Sequence, residues 1–121
     1  MITGIQDVYY NVQDMKRAVA FYTEVLGCTQ TFGDEYWSAL EVGGLRLGLH
    51  GTGGEPVPAT PRDAHGQNCG GTLTFRSDDV AEDRKRLEAA GAKILGEDDA
   101  AWGHMLVFED LDGNVLKVMK P

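Results

Sequence analysis

The residues of this chain whose types and spacing could do chemistry are Asp7, Tyr9, His50, Thr72, Trp102 and Lys117. Strand alternation puts Asp7, Tyr9 and Asn11 on one side of an extended segment, opposite Val8, Tyr10 and Val12. In the same way Thr72, Thr74 and Arg76 oppose Leu73 and Phe75, and Lys117 shares a side with Val115 and Met119. His50 shares one with Arg46 and Gly48, opposite Leu45, Leu47 and Leu49. If these polar sides line one cavity, it holds an acid, basic groups, a phenol and hydroxyls, a set that orients a polar or aromatic small molecule by hydrogen bonds. Trp102, next to Gly103, would stack on such a molecule at the cavity's mouth. The same residues also have plainer uses, Asp7 and Lys117 as an ion pair and Tyr9 and Trp102 as packing residues. The sequence has no Ser–His–Asp arrangement and no dinucleotide fingerprint. Gly51-Thr52-Gly53-Gly54 lacks the Lys-Ser/Thr that a phosphate-binding loop requires.

The elements that position these residues come as an internal repeat. Val8-Tyr9-Tyr10-Asn11-Val12-Gln13-Asp14-Met15 resembles Leu73-Thr74-Phe75-Arg76-Ser77-Asp78-Asp79-Val80. Each is a short alternating run closed by an Asp that can cap a helix. After Asp14, the residues Met15, Ala18, Val19, Tyr22, Val25 and Leu26 draw one apolar stripe, and Gly27 ends it. After Asp79, which forms a capping box with Glu82, the stripe is Val80, Leu87 and Ala90, and Gly91 ends it. Strands are expected at Cys28–Phe32, Tyr36–Val42 and Leu45–His50, with a Gly43-Gly44 turn, and again at Lys93–Gly96, His104–Glu109 and Val115–Met119. Each half therefore reads β-α-β-β-β. Residues 51–68, rich in Gly and Pro, form either a plain linker or a flap that also touches ligand.

Composition narrows the function classes. A chain of 121 residues, 42% of them apolar, makes one domain with a packed core. No run approaches the roughly 18 apolar residues of a membrane span, and the first residues do not form a signal peptide, so a cytoplasmic protein is expected. With 11 basic against 19 acidic residues the net charge is −8, which argues against nucleic acid and favours a cationic ligand at long range. Cys28 and Cys69 form no CxxC pair and are expected to be reduced packing residues.

The run from Asp14 through Ala18, Phe21-Tyr22 and Leu26-Gly27 resembles the D-x-x-x-(S/A)-x-x-F-Y-x-x-x-L-G segment of the vicinal-oxygen-chelate superfamily. Phe108-Glu109-Asp110-Leu111-Asp112-Gly113-Asn114 resembles its F-x-D-P-D-G-N signature, with Leu111 where Pro is usual. This superfamily includes glyoxalase I, extradiol dioxygenases, fosfomycin-resistance enzymes and bleomycin-binding proteins. The resemblance implies an α+β fold in which two βαβββ modules form curved mixed sheets around a central cup, with helices on the outer faces. Residues 1–121 would be one glyoxalase/bleomycin-resistance-like domain, with module one at about 1–50, a connecting segment at 51–68 and module two at about 69–121. It also implies a homodimer.

Metal-dependent members place ligands at four equivalent positions, on the first and last strand of each module. Carried over, these fall on Asp7, on Gly48 or His50, on Thr72 and on Lys117. A catalytic divalent ion generally has about three protein ligands, and this set offers one or two. An ammonium about 4 Å from a divalent ion is repelled by ~8 kcal/mol at an effective dielectric of about 20. Deprotonating a lysine at neutral pH costs roughly 5 kcal/mol. No metal and no other cofactor is therefore expected. The resemblance then implies a protein that binds a small polar or aromatic molecule in its cup. The alternatives are a metal-dependent lyase, isomerase or dioxygenase with an altered site, and a non-catalytic oligomeric or regulatory domain.

Overall fold

The computed structural model describes residues 1, 3–62, 64–65 and 70–121. Cys69 lies outside the described residues, as does part of the connecting segment. The chain divides into two compact units, Met1–Val57 and Pro58–Pro121, so the break falls inside the expected connecting segment.

In the first unit, β1 (Val8–Val12) leads through Asp14 into α1 (Met15–Ala20). The Asp14 carboxylate accepts from the Arg17 N–H at 3.1 Å and caps the helix. The helix does not continue as a plain α-helix. Phe21–Val25 widens into a π turn, in which the Leu26 N–H donates to the Phe21 carbonyl at 3.2 Å. The apolar stripe accounts for Tyr22 but not for its neighbour Phe21. The wider turn buries both rings, edge to face with centroids 5.7 Å apart. Gly27, at φ 77°, then reverses the chain.

Strands β2 (Thr29–Gly33), β3 (Trp37–Val42) and β4 (Leu45–Gly51) complete a mixed sheet of order β1-β4-β3-β2. β1 runs parallel to β4, and the other pairs are antiparallel. Gly43 and Gly44 both adopt positive φ, as the two-residue β3–β4 turn requires. One face of this sheet carries Val12, Leu40, Leu47 and Leu49, all fully buried under α1. Complete burial of such a side chain stabilises the fold by about 1.5–3 kcal/mol.

The second unit repeats the plan with β5 (Leu73–Arg76), α2 (Val80–Ala89), β6 (Lys93–Ala100), β7 (Gly103–Glu109) and β8 (Val115–Lys120). Its sheet order is β5-β8-β7-β6, with β5 parallel to β8. Asp79 caps α2 by accepting from the Glu82 N–H at 3.0 Å. Leu87 and Val80 pack with Leu106, Phe108, Leu116 and Val118 on the helix face of the sheet. The signature run Phe108–Asn114 has a structural use. Buried Asp110 accepts from the N–H groups of Asp112 and Asn114, both at 2.9 Å, and from the Asn114 amide at 3.0 Å. These bonds lock the β7–β8 turn.

The largest difference from the expected boundaries is β6, which continues past Gly96 to Ala100. Glu97, Asp98 and Asp99 are poor strand formers. They pair nonetheless with Leu106, Met105 and His104, because Ala101 and Trp102 close a tight hairpin beyond them. Arg84 of α2 bonds Glu97 from the helix side, and His104 Nε2 meets the other Glu97 oxygen at 2.7 Å.

Candidate functional site

Strand register puts Tyr9, His50 and Lys117, among the expected site residues, on the sheet faces opposite the helices. In module one, Tyr9 lies beside Gly48 and Asn11 beside His50, while on the other side of β4 Trp37 opposes His50 and Ala39 opposes Gly48. Tyr9, Trp37 and His50 converge there. Ring centroids are 5.8 Å apart for Tyr9–Trp37, 6.0 Å for Tyr9–His50 and 6.3 Å for Trp37–His50, all steeply tilted. Such pairs contribute roughly 0.5–1.5 kcal/mol each. His50 Nδ1 lies 3.1 Å from Asn11 Oδ1, which orients the imidazole. Tyr9 and Phe32, on the same face, are each 54% exposed, so large rings stand open to solvent opposite a well-packed face.

Gly48 is the keystone of this arrangement. A Cβ built on it would lie 2.3 Å from Trp37 Cη2, 2.4 Å from Cζ2 and 3.0 Å from Tyr9 Cβ. The indole therefore occupies the space that a side chain at position 48 would need. Position 48 is also the module-one counterpart of Lys117. Gly48 pairs with Tyr9 on β1 as Lys117 pairs with Thr74 on β5, and Val8–Leu47 matches Leu73–Leu116. By register, Gly48 rather than His50 is the equivalent position.

Asp7 is half-buried immediately ahead of β1, and Thr72 is half-buried immediately ahead of β5. Lys117 is half-buried on the middle of β8, between Thr74 and Val107. Trp102 sits at the β6–β7 hairpin tip, 52% exposed. It lies five positions along β7 from Val107, roughly 16 Å at the usual rise. Module two does not bring it to Lys117. Sequence reasoning missed Trp37, the residue at the centre of the aromatic cluster. Its signal was alternation in β3, where Trp37, Ala39 and Glu41 oppose buried Ser38 and Leu40.

Other polar groupings have structural uses. His104 and Arg84 hold the Glu97 carboxyl below its usual value through their hydrogen bonds. Burial pushes the Cys28 thiol from 9.0 up to about 11, which makes it a poor nucleophile. A surface depression lined by Gln13, Asp14, Met15, Arg17, Glu35 and Gly54 contains none of the expected site residues.

The model of the glyoxalase/bleomycin resistance protein/dioxygenase superfamily matches residues 4–118 of the sequence. The chain belongs to this superfamily. Solved structures with the same fold include the fosfomycin resistance protein FosX of Listeria monocytogenes, at 17% identity and TM-score 0.75 over 100% of this chain and 95% of that one. Lactoylglutathione lyase of Agrobacterium tumefaciens is similar at 21% identity and TM-score 0.69, over 98% and 94%. An integron cassette protein from the mobile metagenome of V. cholerae is similar at 25% identity and TM-score 0.65, over 99% and 96%. No curated protein sequence matches the chain. One FosX structure is a complex with Mn(II) and sulfate. The residues here do not fit the superfamily's metal. Gly48 offers no donor atom, Trp37 fills the space above it, and among the described residues no group of three or more His, Cys, Asp or Glu side chains is placed to hold a metal ion. Gly48 and Lys117 are counterparts in the two sheets, and Asp7 and Thr72 each stand just ahead of the first strand of their own unit.

Proposed function

We propose that the chain holds a small polar or aromatic molecule without a metal ion, and that the sheet faces turned away from α1 and α2 carry the binding groups. The observation that carries this reading is the Trp37 indole lying over Gly48. It exchanges a coordinating position for an aromatic surface continuous with Tyr9 and His50. Rings stacked on such a surface gain apolar burial and quadrupole complementarity, and Asp7 of the same unit supplies a hydrogen bond that orients the molecule; in the second unit the candidate polar groups are Thr72 and Lys117. Trp102, exposed at the β6–β7 hairpin tip, is a further ring on which a ligand of the second unit would stack. Likeness to superfamily members extends the reading to a homodimer acting in the cytoplasm.

The test has two parts. Metal content is measured by plasma mass spectrometry after purification without chelator, and again after exposure to manganese, zinc, nickel and iron salts. Binding of naphthalene-type aromatics is followed by tryptophan fluorescence in a Trp102→Phe background, where Trp37 is the remaining indole. The expected result is saturable quenching, weakened in Tyr9→Ala, with no stoichiometric metal. Near-stoichiometric metal that disappears in Asp7→Ala or His50→Ala would overturn the reading in favour of a metal-dependent lyase or dioxygenase.

A further inference from the structure

Lys117 has no hydrogen bond or ion pair among the described residues, although the chain carries 19 acidic side chains. It is half-buried on β8, an inner strand of its sheet. A cation in that position loses hydration without gaining a partner, an arrangement that costs stability unless something else supplies the negative charge.

Register shows why no acid described on its own sheet pairs with it. The direct neighbours of Lys117 are Thr74 on β5 and Val107 on β7, and neither is charged. The acid one pleat away on β7 is Glu109. That carboxylate is already held by Arg62 at 2.9 Å and stands opposite Lys93. Asp98 lies two strands away, opposite Met105. The charged residue one pleat away on β5 is Arg76, another cation, which is exposed and also without an ion pair among the described residues. Among the described residues of this sheet, the face around Lys117 is therefore positive, although the chain as a whole carries a net charge of −8.

We propose that Lys117 anchors an oxyanion-binding subsite, taking the carboxylate of a small aromatic acid, with the Thr74 hydroxyl beside it and Arg76 adding long-range attraction. The substitution of an ammonium for a metal ligand gives this an electrostatic logic. A metal bound by its relatives would attract an anionic oxygen of the ligand, and the ammonium supplies a fixed positive charge of its own in its place. The subsite rests on the proposed metal-independent binding of an aromatic molecule and names its chemical class.

The test compares acids with their neutral isosteres, 2-naphthoate against 2-naphthamide and benzoate against benzamide, by titration calorimetry of the full chain. The expected wild-type result is that each acid binds about tenfold or more tightly than its amide. Lys117→Met should bind acid and amide alike. Lys117→Arg, which keeps the charge, should retain the preference, so that a folding defect in Lys117→Met cannot imitate the result. Raising the salt concentration should shrink the preference without weakening the amide. Equal binding of acid and amide by the wild type would overturn the oxyanion subsite and leave aromatic binding intact. Binding of neither probe would overturn both readings.

Discussion

Gly48→Ala is the sharpest perturbation of the aromatic face. The added methyl would lie 2.3 Å from the rim of the Trp37 indole, whereas carbon–carbon contacts settle at about 3.5–4.0 Å. The ring must therefore retreat by roughly 1 Å or more. It can do so, because the clashing atoms are the far end of a side chain rather than backbone. Gly48 is not among the positive-φ glycines, so alanine brings no backbone strain there. Replacing a strand glycine gains about 0.5–1 kcal/mol of conformational entropy. Loosening the Tyr9–Trp37 and Trp37–His50 pairs loses about 0.5–1.5 kcal/mol each. The net effect on stability is a loss of about 1 kcal/mol, readable as a shift in urea midpoint at constant m. Binding of an aromatic probe should weaken roughly two- to tenfold through the lost ring contact. The assay is fluorescence titration in the Trp102→Phe background, with near-ultraviolet circular dichroism reporting the indole's surroundings. A folded Gly48→Ala protein with unchanged binding and unchanged dichroism would refute the placement of Trp37 over Gly48.

Two further outcomes follow from the titratable groups. In a Cys69→Ser protein the buried Cys28 thiol, raised to about 11, should be roughly one part in a thousand thiolate at about pH 8. Alkylation by iodoacetamide should then track unfolding, and rapid labelling of the native state would contradict its burial. Glu97 titrates below its usual 4.5 in the folded chain, so its stabilising contribution is present above that value and is lost as the pH falls through the lowered one. Wild type should melt above Glu97→Gln at neutral pH and lose that advantage with acidification; a gap that stays constant with pH would show that charge is not its origin.

The residues differ in how openly the sequence reveals them. The repeat, the Asp14 and Asp79 caps and the Gly43-Gly44 turn depend on local chemistry, which a one-dimensional pattern records, and all appear where that chemistry puts them. The π turn does not announce itself, because Phe21 becomes a core residue only after the backbone has taken in an extra position. The acidic half of β6 reads as loop, since its pairing is imposed by β7 across the hairpin and by Arg84 from α2. At the candidate site, alternation assigned Tyr9, His50 and Lys117 to faces correctly, but the role of Trp37 depends on a side chain that is missing at Gly48. An absence of that kind becomes informative only when β3 and β4 are seen side by side. Net charge was a poor guide to Lys117 for a related reason. A total over the chain says nothing of how Arg62 and Glu109 cancel one another on a single face.

Each sheet is stitched from one continuous stretch of chain, with β1 parallel to β4 in the first and β5 parallel to β8 in the second. Such a parallel closure leaves the opening strand waiting for the last one, and an unpaired strand is a template for the wrong partner. During synthesis from the N-terminus the wait of β1 ends once Gly51 has cleared the ribosome, before β5 has emerged from it. The order of the strands along the chain thus protects the nascent protein, because the two halves never compete for each other's hydrogen bonds while both are incomplete.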